Sequence, residues 1–193
     1  MLNSLSTKFL IMLSLFLNIT ILQSQKSDIW SDDNFTGLEF RSIGPALMSG
    51  RISDIAIHPE DENTWYVTVG SGNVWKTQNS GITWDPIFDD QASYSIGCVT
   101  IDPNNPEVVW IGTGEDQGGR HFGYGDGIYK SLDGGKNWTN MGLKNSERIS
   151  KILIHPKNSN ILWVAVQGPL WSSGGQRGLY KTVDGGKNWK LVL

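Results

Sequence analysis

Three nine-residue stretches carry the same short-period apolar pattern: "RISDIAIHP" (Arg51 to Pro59), "SIGCVTIDP" (Ser95 to Pro103) and "RISKILIHP" (Arg148 to Pro156). They superpose without gaps. Each ends in a proline, and seven residues later stands an aromatic, Tyr66, Trp110 or Trp163, inside a β-branched and aromatic run: "TWYVTVG", "VVWIGTG", "ILWVAVQ". A shorter run follows, "NVWKT", "GIYKS" or "GLYKT", then a Gly-rich octamer, then a brief tail such as "DPIF" or "KLVL". Short runs of this composition, bounded by Pro, Asn and Gly, predict strand a, a turn, strand b, a loop, strand c, a tight turn and strand d. No segment has helical periodicity of useful length.

The unit occurs three times. The octamers "TQNSGITW" (Thr77 to Trp84), "SLDGGKNW" (Ser131 to Trp138) and "TVDGGKNW" (Thr182 to Trp189) lie 54 and 51 residues apart. Four short antiparallel strands repeated at this period predict an all-β chain of β-propeller blades, spanning about 51–90, 95–143 and 148–193. In each octamer the glycines supply positive φ, and Asn79, Asp133 or Asp184 supplies an acceptor for the amides of its own turn. The closing Trp84, Trp138 and Trp189 are expected to plug the hydrophobic layer of their own blade, each burying on the order of 200 Å². Asn in place of Asp in the first copy suits a hydrogen-bonding role and would hurt an acid/base role, so the octamer reads as a brace.

The octamer matches the Asp-box, S/T-x-D-x-G-x-x-W, completely at Ser131 to Trp138 and Thr182 to Trp189. With "GLEFRSIGP", "SGRISDIAIHP" and "WIGTGE", residues 37 to 193 resemble the sortilin-like N-terminal propellers of large exported bacterial proteins, which are often labelled glycosyl hydrolases. The motif specifies fold rather than activity, since Asp-boxes occur in sialidases, xyloglucanases, sortilins and plant photosystem-assembly propellers alike. Three blades fall short of a closed ring, so the chain is expected to be the N-terminal part of a longer protein whose remaining blades complete it. The resemblance implies that the strand from Gly37 to Ile43 helps to close the ring.

Composition refines this picture. The 193 residues include 23 glycines, nine tryptophans and 18% charged residues, with a net charge of −3 and no basic run, so nucleic acid is not an expected partner. Lys8 precedes the 14-residue apolar run "FLIMLSLFLNITIL", too short and interrupted for a membrane span but suited to a signal-peptide core. We expect a signal peptide over 1–24, a linker over 25–36, and a secreted or cell-envelope location, with no membrane contact beyond the export signal. The single cysteine, Cys98, permits no internal disulfide and is expected as a buried thiol.

Candidate chemistry lies in the b–c loops. From the strand-b aromatic to the strand-c aromatic the spacing is 9, 19 and 17 residues in the three units, so the second and third carry insertions. "GEDQGGRHFGYGDG" brings Glu115, Asp116, Arg120, His121 and Tyr124, and "GPLWSSGGQRG" brings Trp171 and Arg177. Charges and aromatics on long Gly-rich loops suit recognition of a carbohydrate, protein or peptide ligand; the other reading packs these aromatics down on neighbouring loops. Antiparallel order puts the octamers on the opposite face.

His58, Asp102 and His155 share one repeat position before proline and read as turn caps rather than metal ligands. No cofactor or metal is expected. The expected role is a binding or scaffold module. The alternative is a glycoside hydrolase of xyloglucanase or sialidase type with catalytic residues partly on further blades. Resemblance to sialidases would require an Arg-Ile-Pro motif, and "FRSIGP" with Arg41 is a broken version. Resemblance to xyloglucanases places a catalytic Asp after the first strand b, where this chain has Gly70. Hydrolysis wants two carboxylates across the bond, so an enzyme is the less expected of the two.

Overall fold

A computed structural model describes residues 50–116 and 122–193. The signal segment, the linker, Gly37 to Ile43, Arg41, Arg120 and His121 lie outside the described residues.

The described chain forms three four-stranded antiparallel sheets, each in sequence order, and no helix. Blade one consists of β1 (Ile52–His58), β2 (Asp61–Val69), β3 (Asn73–Thr77) and β4 (Asp85–Pro86). Blade two consists of β5 (Ile96–Asp102), β6 (Asn105–Thr113), β7 (Ile128–Ser131) and β8 (Thr139–Asn140). Blade three consists of β9 (Ile149–His155), β10 (Asn158–Val166), β11 (Gly178–Thr182) and β12 (Lys190–Leu191). The gapless superposition of the sequence is also a superposition of register. Ile55 faces Val67, Val99 faces Ile111, and Ile152 faces Val164 across the first two strands of each blade.

The a–b turns are alike in mechanism although their letters differ. His58 Nδ1 accepts the Glu60 amide (3.2 Å), His155 Nδ1 accepts the Lys157 amide (3.1 Å), and Asp102 Oδ1 accepts the Asn104 amide (2.8 Å). A ring nitrogen and a carboxylate oxygen serve one purpose there, as expected for a turn cap.

The c–d octamers are hydrogen-bonded braces. Asp133 Oδ1 accepts the amides of Lys136 (3.0 Å) and Asn137 (2.9 Å), while Oδ2 accepts the Asn137 side-chain amide (2.7 Å). The Ser131 hydroxyl accepts the Gly135 amide at 2.8 Å. Gly134 and Gly135 hold φ of 68° and 93°, a region where a Cβ is costly. Asp184 repeats this geometry with Asn188. In blade one Asn79 Oδ1 still accepts a backbone amide, from Thr83 (2.9 Å), but its Nδ2 now donates to the Thr83 hydroxyl (2.8 Å). The amide that replaces the carboxylate is matched by a hydroxyl that replaces the Asn, so both exchanges preserve the pairing.

Cores lie between blades. One cluster joins Tyr66, Val74 and Phe88 of blade one to Val99, Val109, Ile111 and Tyr129 of blade two; the other joins Cys98, Trp110 and Ile128 to Ile149, Ile152, Leu162 and Val164 of blade three. Cys98 is buried and free, and burial pushes its thiol up to about 12. The octamer tryptophans correct the sequence expectation. Trp138 and Trp189 are half-buried and reach out of their own blades. The Trp138 indole donates to the Ile87 carbonyl of blade one (2.7 Å), and the Trp189 indole donates to the Met141 carbonyl of blade two (2.8 Å). An indole N–H needs a partner when desolvated, and the free carbonyl lies just past the preceding blade's outer strand.

Inner strands bind laterally. Asp54 of β1 accepts the Val99 amide of β5 (3.3 Å) and pairs with Lys151 of β9 (3.1 Å), so its carboxylate touches both other blades. Thr100 donates to the Ile152 carbonyl at 3.0 Å.

Candidate functional site

The b–c connections emerge at one end of the blades, between β2 and β3, β6 and β7, and β10 and β11. The opposite end is occupied by a–b and c–d turns that bond to one another, for example Gly134 N–H to the Glu107 carbonyl (2.9 Å) and Gly185 N–H to the Asn160 carbonyl (3.0 Å). The octamer backbone is engaged in these bonds, although open clefts border it, as between Phe88, Asp89, Lys136 and Trp138; the b–c end carries the long inserted loops.

The blade-two loop is anchored at both feet. At its start the Thr113 hydroxyl accepts the amides of Asp126 (2.9 Å) and Gly127 (3.0 Å), and the Glu115 amide donates to the Gly123 carbonyl (3.1 Å). At its end Gly125 N–H donates to the Glu147 carbonyl (2.7 Å), and Asp126 accepts the Tyr129 hydroxyl (2.5 Å). Burial, then that bond, raises the Tyr129 phenol to about 12.

The sequence-selected residues fall into different environments. Glu115 is fully buried rather than displayed on the loop: its Oε1 is paired with the Arg51 guanidinium of blade one, while Oε2 has no partner among the described residues. A Cβ on Gly70 would stand 2.8 Å from the Glu115 carboxyl, so the carboxylate fills the space above that glycine. Asp116 is half-buried. Tyr124 is 64% exposed and Trp171 83% exposed, both offering ring surface to solvent. Arg177 is exposed, and its guanidinium donates to the Pro169 carbonyl within its own loop.

Two residues of the site were not selected from sequence, Arg51 and Arg148. Both open strand a, at a repeat position where blade two has Ser95. Arg51 reaches Glu115 at the first foot of the blade-two loop. Arg148 is 1% exposed and lies beside the second foot, with its guanidinium 4.9 Å from the Tyr124 ring centre and 5.5 Å from that of Phe122. Its Nη1 donates to Glu147 (2.8 Å) and to the Gly168 carbonyl (3.4 Å). Arginines from the two flanking blades thus meet blade two's loop, one by ion pairing and one by cation–π contact. The shared "RIS" opening of the first and third repeats was the available signal.

Chemically, this arrangement presents aromatic surface backed by a desolvated guanidinium, and a carboxylate whose charge is already compensated. Among the described residues no group of three or more His, Cys, Asp or Glu could hold a metal ion.

Comparison with known proteins agrees with this architecture. A probable oligoxyloglucan-reducing end-specific xyloglucanase of Neosartorya fischeri is 23% identical over 80% of this chain and 25% of its own length. A GH74 enzyme of Niastella koreensis is 26% identical, covers 70% of this chain and 20% of its own, and superposes with a TM-score of 0.54. An auxiliary nutrient binding protein of Bacteroides thetaiotaomicron superposes with a TM-score of 0.52 over 75% of this chain and 30% of its own, at 12% identity, a likeness of fold alone. The chain spans about a quarter of the curated xyloglucanase it matches. The family model for sortilin, neurotensin receptor 3 (Sortilin-Vps10) matches residues 73–193, more than half of the chain. The repeating blades and this match make the chain a member of the Sortilin-Vps10 family.

Proposed function

We propose that this chain is part of an exported propeller that binds a carbohydrate or protein ligand at its b–c face. The observation that carries the reading is the contrast between the two ends. Exposed Tyr124 and Trp171 stand on the b–c loops, whereas the octamer residues are engaged in their own turn bonds. Flat rings offered at the surface suit stacking on a sugar face or on a peptide side chain. Asp116 and Arg177 lie on the same two loops, and Arg120 and His121 extend the first of them in sequence.

A hydrolase is the second reading, favoured by the xyloglucanase and GH74 likenesses. Against it, Glu115 is buried and engaged with Arg51, and Gly70 has no side chain. An acid/base carboxylate must reach its substrate, and Glu115 in this state does not.

Binding to arrayed glycans, xyloglucan oligosaccharides included, and to peptides tests the proposal. Tyr124→Ala or Trp171→Ala should weaken the strongest hit about tenfold or more, as losing an anchoring aromatic does. Unchanged binding in both, with loss on changes at the octamer end, would reverse the face. Release of new reducing ends from xyloglucan would favour the hydrolase.

A further inference from the structure

The connection from β4 to β5 leaves blade one at the same end as the b–c loops and packs against the blade-two loop. The Ser93 hydroxyl lies 3.1 Å from both the Tyr124 and the Ser95 carbonyls and donates toward them. The Ser95 hydroxyl donates to the Gly70 carbonyl (2.5 Å), and a Cβ on Gly123 would strike that same hydroxyl, so the loop lies directly on this segment. Between the two serines stands Tyr94. Its carbonyl accepts the Asn73 amide (2.9 Å), while its side chain is 62% exposed, as Tyr124 is. Two exposed rings from adjoining blades are therefore tied together through Ser93, the neighbour of one and a hydrogen-bond donor to the backbone of the other.

The charges around Tyr124 are compensated within the protein. Glu115 pairs with Arg51, and Arg148, whose guanidinium backs the Tyr124 ring, pairs with Glu147. Asp126 accepts the Tyr129 hydroxyl, and Asp116 is engaged as well. A charged ligand would have to compete with these partners. A neutral ligand with flat apolar faces and hydroxyls at their rims would not: it can stack on the rings and meet the phenol groups at their edges. The buried Arg148 and the bonded backbone hold the rings' bases before any ligand arrives, which lowers the ordering cost of binding.

We infer that Tyr94 and Tyr124 form one platform across the boundary between blades one and two, and that its occupant is a neutral glycan chain long enough to lie on both rings. This rests on the reading that the b–c face is the binding face, and it adds to that reading a second ring, a direction for the chain and a class of ligand.

Isothermal titration of the full-length protein with cellohexaose, mannohexaose and xylohexaose, with the corresponding disaccharides and with hexagalacturonate, tests this. At least one neutral hexasaccharide should bind about tenfold or more tighter than its disaccharide, because only the longer chain engages both rings, and hexagalacturonate should bind more weakly than that hexasaccharide. Tyr94→Ala should cut the hexasaccharide's advantage to about threefold or less, with the parent's melting temperature kept because the side chain is exposed. Tyr94→Phe, which keeps the ring, should retain most of the advantage. If Tyr94→Ala failed to fold, Tyr94→Ser would replace it with the same ratio required. Weakening by Tyr124→Ala while Tyr94→Ala leaves the advantage intact would overturn the shared platform and leave the b–c reading standing. Both variants binding as the parent does would overturn both. A parent that takes none of the neutral hexasaccharides, or that prefers hexagalacturonate, would overturn the neutral glycan as occupant.

Discussion

The indole N–H of Trp138 donates to the carbonyl of Ile87, 51 residues earlier and in a different blade, at 2.7 Å. The residue that closes the octamers of blades two and three therefore fastens its blade to the one before it. Trp138→Phe keeps most of the ring's area and leaves that carbonyl without its donor, which should cost about 1–3 kcal/mol. Trp189→Phe should behave alike through Met141, while Trp84→Phe, whose N–H bonds within its own turn, should cost less. Urea unfolding of the three variants checks the order; equal losses would contradict the inter-blade role.

The octamer carboxylates make stability depend on acid. Hydrogen bonds from the Asn137 side chain and amide and from Ser131 hold Asp133 down to about 2, and the Asn188 side chain and amide with Thr182 do the same for Asp184. Both folded values lie below the ordinary carboxylate value of about 4, so the stabilisation is fully present above about pH 4 and is lost as pH falls through about 2. Melting temperature should decline across that window. Asp133→Asn with Asn137→Thr, which copies the Asn79 and Thr83 pair of blade one, should flatten the decline. An unchanged acid slope would assign it to other groups.

Gly97 sits at a register shift in β5, where a Cβ would strike the carbonyl oxygens of Ile149 and Gly114. Neither neighbour is a side chain that can swing away. Gly97→Ala should therefore cost about 3 kcal/mol, the upper end of ordinary overpacking, and should weaken the boundary between blades two and three first. Hydrogen exchange in β5 and β9 would report this, and a thermally silent variant would refute it.

Arg51→Ala leaves the Glu115 carboxylate buried without its cation. Breaking a buried pair costs about 3–5 kcal/mol, and the partial exposure of Arg51 lowers the expectation to about 2 kcal/mol. Glu115→Gln in the same chain should recover most of that loss, because the uncompensated charge is gone. A double-mutant cycle on chemical denaturation measures both, and additive losses would mean that the two side chains do not interact.

The strands, the braces and the a–b caps were legible in the sequence because each is local. Apolar patterning, a glycine pair, or a His or Asp before proline acts within a few residues of itself. The roles of Trp138, Arg148 and Glu115 were not legible, because each depends on a partner dozens of residues away in a neighbouring blade. Glu115 illustrates the limit: a charged letter in a long loop reads as surface, and only the approach of Arg51 and Gly70 makes burial tolerable. Tyr124 and Trp171 are exposed, an outcome that loop length left open beside packing onto neighbouring loops.

Gly70 and Glu115 compete for one seat. A Cβ at 70 would stand 2.8 Å from the Glu115 carboxyl, so an acid there would have to displace that carboxyl from its place beside Arg51. Gly70→Asp would bring a second carboxylate against the first unless the Glu115 side chain swings away. A change at position 70 of blade one is thus felt first in blade two, at the carboxyl that Arg51 holds.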